Sequence, residues 1–153
     1  MSVDLLAVVR EGDVNLLLFF HVAGAMATFG AVSVAAYYLV RAHRDSSAAL
    51  ARVGFRTLLI AAIPSWIVMR VFAQLLADDQ GITDAGLDWI NLGFTVSEGG
   101  LLILIATTVL AGLAARRPEG TSVRGGPRVA AWLLTALLVG FAVTVWAMAA
   151  KPA

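Results

Sequence analysis

Three ionisable side chains, His21, Arg70 and Glu98, interrupt long apolar runs in a chain of 153 residues. An imidazole, a guanidinium and a carboxylate set among hydrocarbon are the groups that proton carriage, ion binding and metal ligation use. Each has polar or small company at helical spacing. Trp66 and Gln74 stand four residues to either side of Arg70, and Asn91 and Thr95 precede Glu98 by seven and three. Gly24, Ala25 and Thr28 follow His21 at three, four and seven. Residues so spaced share one face of a helix. The expectation is a polar site built from His21, Arg70, Glu98, Gln74, Asn91 and Thr95.

The lipid environment makes such a set informative. A charged side chain at the centre of a membrane helix costs about 2.5–3.5 kcal/mol on insertion scales and turns toward the bundle interior. A carboxyl near mid-membrane can exchange protons for a substrate. The competing reading is structural: an Arg70–Glu98 ion pair that locks two helices, with His21 hydrogen-bonded to a neighbour.

The elements that must carry these residues follow from composition. Hydrophobic residues make up 60% of the chain and charged residues 14%, with a mean hydropathy of +0.88. A water-soluble surface does not tolerate that balance. About 20 apolar residues span the hydrocarbon core as a helix, and four segments qualify, at 14–40, 57–77, 86–115 and 129–150. The runs are continuous rather than alternating, which favours helices over a barrel. The fold class expected is all-α: an integral membrane four-helix bundle, up-down-up-down, forming a single domain over 1–153.

Charge sets the expected orientation. Residues 41–56 carry Arg41, Arg44, Arg52 and Arg56 against Asp45, and residues 116–128 carry Arg116, Arg117, Arg124 and Arg128 against Glu119. The 78–88 connection carries Asp78, Asp79, Asp84 and Asp88 and no base. Lys and Arg near span ends mark the cytoplasmic side. Loops 41–56 and 116–128 are therefore expected in the cytoplasm of a plasma-membrane protein, with both termini and loop 78–88 outside. On this frame His21 and Arg70 lie roughly 10 Å below the outer surface and Glu98 roughly 18 Å, so the site should face outward.

Smaller signals fill in the frame. Asp13 is an expected N-cap for the first helix, and Thr83 or Asp88 for the third. Residues 3–10 read as an interfacial turn rather than a secretory signal, lacking a basic leader and a long apolar stretch. Pro118, Gly120, Gly125, Gly126 and Pro127 should break the chain between the last two helices. Pro64 should kink the second helix. Ala23, Ala27, Ala31 and Ala35, with Gly24 and Thr28 beside them, should form the contact stripe of the first helix, with Gly93, Gly99, Gly100 and Gly140 serving the third and fourth. Trp89, Trp132 and Trp146, with Tyr37 and Tyr38, should mark the interfaces.

Helix one reads Phe20-His21-Val22-Ala23-Gly24-Ala25, then Phe29-Gly30, and leads into the basic segment 41–56. Over the first two helices this resembles small uncharacterised bacterial four-helix integral membrane proteins and, more distantly, the copper-resistance D family. The latter resemblance implies a first-helix histidine concerned with copper; Met26 and Met69 are the only further sulfur or imidazole donors near His21.

Three functional readings follow. The first is a carrier or ligand-binding bundle using the polar set, with lipid around it and a homodimer or larger complex as partner. The second is an accessory subunit of a larger membrane complex. The third is a haem or metal protein of electron transfer with His21 as axial ligand; no cofactor is otherwise expected, and His43 stands in the basic segment, so the second ligand would come from another copy or a methionine. No Ser/His/Asp set, metal-spaced histidines or phosphate loop points to an enzyme. The net charge of +1 points to no nucleic acid, and the absence of cysteine excludes disulfides and thiolate sites.

Overall fold

The computed structural model describes residues 12–81, 88–118 and 125–150. Within them the chain is helical, with no strand among the described residues. We number the helices α1 (Gly12–Arg44), α2 (Ala48–Asp79), α3 (Asp88–Ala115) and α4 (Gly125–Ala150). All four are long and apolar enough to cross a membrane. The expected turn at 3–10 and the cap at Thr83 lie outside the described residues, and Asp13 falls inside α1, one residue past its first described position.

Two boundaries differ from expectation. The 41–56 segment is not a loop. Helix α1 continues to Arg44, with Arg41, His43 and Arg44 in its last turn at the negative end of the helix dipole, where the Arg41 and Ala42 carbonyls accept from the Asp45 and Ser47 amides. Ser46 takes a positive φ of 50°, and Ser47 then caps α2 by accepting from the Leu50 amide at 3.3 Å. Ala48, Ala51 and Gly54 turn inward while Arg52 and Arg56 turn out, so arginines that interrupt the apolar run still leave a buried face. Likewise Gly125, Gly126 and Pro127 are the first described residues of α4 rather than a break before it. Pro127 is fully buried there.

Pro64 acts on α2 through the turn before it. A proline ring collides with the carbonyl four residues back, here Ile60. The helix widens to a π-turn over Leu58–Ala62, with the Ile63 amide bonded to Leu58 O. Such a turn absorbs the misfit at one place.

Gly24 meets Met69, and Gly54 meets Leu39; Gly112 meets Phe55, and Gly100 meets Leu137 and Phe141. Helix α1 also lies against α4, closing the bundle. The core draws on all four helices: Val32, Ala35 and Leu39, then Leu58 and Trp66, then Leu104 and Ala111, then Ala130, Leu134 and Leu137. A second cluster of Ala42, Ala48, Ala51 and Ala114 closes the basic end, where Arg52 Nη2 donates to Ala115 O at 3.1 Å and so caps α3.

The contact stripe of α1 is displaced from the alanine series. Gly24, Thr28 and Val32 are buried, and of the alanine series only Ala35 is, with Ala23 and Ala31 half-buried and Ala27 exposed. A Cβ on Gly99 would likewise meet nothing. The face turned outward is as apolar as the core, with Met26, Ile60, Leu102 and Val139 at 60–72% exposure. Trp132 and Trp146 also point outward, near opposite ends of α4, as aromatic anchors do.

One asymmetry positions the site. Helix α2 touches α3 mainly through its 48–57 segment; from Ile63 onward the two diverge toward the acidic end.

Candidate functional site

In that divergence Arg70 of α2 reaches across to α3. Its Nη2 stands 3.4 Å from Glu98 Oε1, and its Cζ lies 4.6 Å from the centroid of the Phe94 ring. Phe94 and Glu98 are one turn apart on α3, so one guanidinium meets both, the carboxylate by charge and the ring by its face. Arg70 Nη1 also donates to Gln74 Oε1 at 3.0 Å. Gln74 Nε2 in turn donates to Asp78 Oδ1 at 2.9 Å. The i,i+4 spacing of Arg70, Gln74 and Asp78 puts the three on one edge of α2. The result is a polar ladder, Glu98–Arg70–Gln74–Asp78, rising from the bundle's middle to its acidic end.

Depth follows from helical rise. Glu98 lies about 15 Å along α3 from Asp88, and Arg70 about 13 Å back from the end of α2. The pair is not sealed. The side chain of Arg70 is 22% exposed and that of Glu98 66%, so the carboxylate looks out of the bundle's flank. Thr95 and Asn91 are exposed on the same helix above it, and neither side chain enters the ladder.

His21 stands apart from the other two. Its Nδ1 is 3.0 Å from the backbone oxygen of Met69, which requires the hydrogen on Nδ1. The expected meeting of three ionisable side chains is thus a pair, with His21 fastened to the backbone one residue before Arg70. The cause is the close approach of α1 and α2 at Gly24, where the Met69 backbone comes to the α1 surface. Below it Thr28 donates to Ser65 Oγ at 3.0 Å, and Ser65 donates to Ala61 O at 2.7 Å. For a metal or haem, His21 keeps Nε2 as its ligating nitrogen. His43 lies about 33 Å further along the same helix, so the chain brings it no second imidazole. Among the described residues no group of three His, Asp or Glu side chains could hold a metal ion.

Trp66, which shares a helix face with Arg70, also builds the site, as do Phe94 and Ser97. Trp66 is buried and its Nε1 donates to Ser97 O at 3.1 Å, tying α2 to α3 one turn below the ion pair. The Ser97 hydroxyl is itself buried without a partner among the described residues. The signal for Trp66 was present, four residues before Arg70; nothing in the sequence marked Ser97 or Phe94. Trp66→Phe removes one interhelical hydrogen bond and is expected to cost about 0.5–1.5 kcal/mol. An SDS titration followed by circular dichroism reads this, against Trp132→Phe, which is expected to change nothing because Trp132 is 69% exposed.

Compared with protein-family models, curated proteins and solved structures, the chain gives no significant match.

Proposed function

We propose that the chain is a small multi-pass membrane protein of carrier or ligand-binding type, with the Arg70–Glu98 pair as its site. The supporting observation is the ladder that joins Glu98 through Arg70 and Gln74 to Asp78. A lock between two helices requires only the pair; continuing polarity from mid-helix to the acidic end supplies a path along which water and ions approach a carboxylate. Glu98 is the exchanging group, and Arg70 is the fixed cation that holds it when no ligand does. In the proposed orientation the basic end, with Arg41, Arg44, Arg52, Arg56, Arg116, Arg117 and Arg128, faces the cytoplasm. The helices cross up-down-up-down, both termini and Asp78 lie outside, and the site opens outward.

The test is proton movement. Purified protein in liposomes containing a trapped pH dye, with an imposed pH gradient, is expected to collapse the gradient faster than protein-free vesicles. Glu98→Gln is expected to return the rate to the protein-free value. An unchanged rate in that variant would sink the reading. The second reading, an accessory subunit, draws support from the outward-facing Glu98, which a different membrane chain could cover; co-purification of a stoichiometric partner in mild detergent would favour it.

A further inference from the structure

Glu98 is the one carboxylate among the described residues placed far from a helix end, yet it is two-thirds exposed and held by a single contact of 3.4 Å. In water that geometry would be ordinary. In hydrocarbon a charge needs cover, because facing lipid is costly to it. The neighbourhood has the form of half a site. Asn91, Thr95, Glu98 and Leu102 are exposed at spacings of four, three and four, which draws a straight stripe along α3. Beside it α2 and α3 diverge, and Arg70 stands in that opening, partly exposed.

We infer that a second copy of this chain covers the opening and completes the site, bringing its own Arg70 to Glu98 across a twofold axis along the membrane normal. The charges on the page select this occupant. Each copy offers one guanidinium and one carboxylate at the same depth, and two copies in the same orientation keep those depths equal. Four charges then alternate around the axis: Arg70, Glu98, and the same two from the second copy. Each Glu98 gains a second cation, and no foreign charge is needed. An isologous contact of this kind is self-complementary by symmetry. Asn91 and Thr95 supply hydrogen-bonding groups above the ring, and Leu102 an apolar contact below it. The inference rests on the reading of the Arg70–Glu98 pair as the functional site and names its partner.

The chain contains no cysteine, so single introduced cysteines report proximity without background. Thr95→Cys and Leu102→Cys, oxidised in native membranes with copper phenanthroline, are expected to give a disulfide-linked dimer on a non-reducing gel. Val139→Cys, 60% exposed on α4, is expected to give none above background. Adding Glu98→Gln to the Leu102→Cys chain is expected to lower the dimer yield, because two of the four charges disappear. No dimer from either stripe cysteine, an equal yield from Val139→Cys, or a yield indifferent to Glu98→Gln would each overturn the proposal. The carrier reading fails separately. Cross-linking with unaltered proton flux in Glu98→Gln would leave the dimer and remove the carrier; lost flux without cross-linking would do the reverse.

Discussion

Gly24→Ala is expected to lower the stability of the folded bundle by about 1–3 kcal/mol, the range for forcing an extra carbon into a filled contact. A Cβ built at Gly24 would lie 2.7 Å from the Met69 nitrogen and 2.9 Å from its Cα. Those are backbone atoms of a helix, with no rotamer to turn aside. Helices α1 and α2 would have to separate, and two cross-helix bonds flank the contact: His21 to Met69 O at 3.0 Å, and Thr28 to Ser65 at 3.0 Å. Both weaken with separation, so the cost exceeds that of one bad contact. Gly30 and Gly99 are the internal controls, because a Cβ at either meets nothing within 4 Å. Gly30→Ala and Gly99→Ala should be neutral or mildly stabilising, alanine being the better helix former. The SDS midpoint of each variant, read by circular dichroism, decides. Equal midpoints for Gly24→Ala and Gly99→Ala would remove the close approach as a stabilising feature.

The second large effect concerns the ion pair. In the proposed membrane bundle, Arg70→Ala leaves Glu98 at mid-helix without the cation that holds it. The expected penalty approaches the cost of one charge in a helix centre, about 2.5–3.5 kcal/mol, with a matching fall in membrane-inserted yield. Removing both charges in Arg70→Ala/Glu98→Ala should recover most of that loss, since the penalty belongs to the orphaned charge rather than to a missing contact. Arg70→Lys should recover less. A lysine keeps the charge but cannot fork to Gln74 and Glu98 together as the guanidinium does. A double-mutant cycle on SDS midpoints provides the measurement. Strict additivity of the two single substitutions would show that Arg70 and Glu98 do not interact in the membrane.

These two expectations divide between what could be read along the chain and what could not. Arg70 and Glu98 were legible as a pair because charges at depth must find partners, and their positions along the helices put them within an arginine's reach. Gly24 was legible only as one small residue beside an alanine series. That series pointed a little to one side of the true contact, since Ala27 is exposed while Gly24 and Thr28 are buried.

By itself the sequence determined four apolar helices and the basic and acidic ends of the bundle. Each of these answers to the bilayer, and a bilayer tests a segment by its length, hydrophobicity and end charges. Only the tertiary structure decided which faces meet. It sent His21 to the Met69 carbonyl and not to the carboxylate, started α2 at Ala48 by turning Arg52 and Arg56 outward, and opened α2 from α3 where Glu98 looks out. The physical reason is that these helices are apolar on every side. In lipid an outward Met26, Leu102 or Val139 costs nothing, so hydrophobic periodicity does not point inward. Facing is left to close packing and a few polar bonds, and those exist only between helices already assembled.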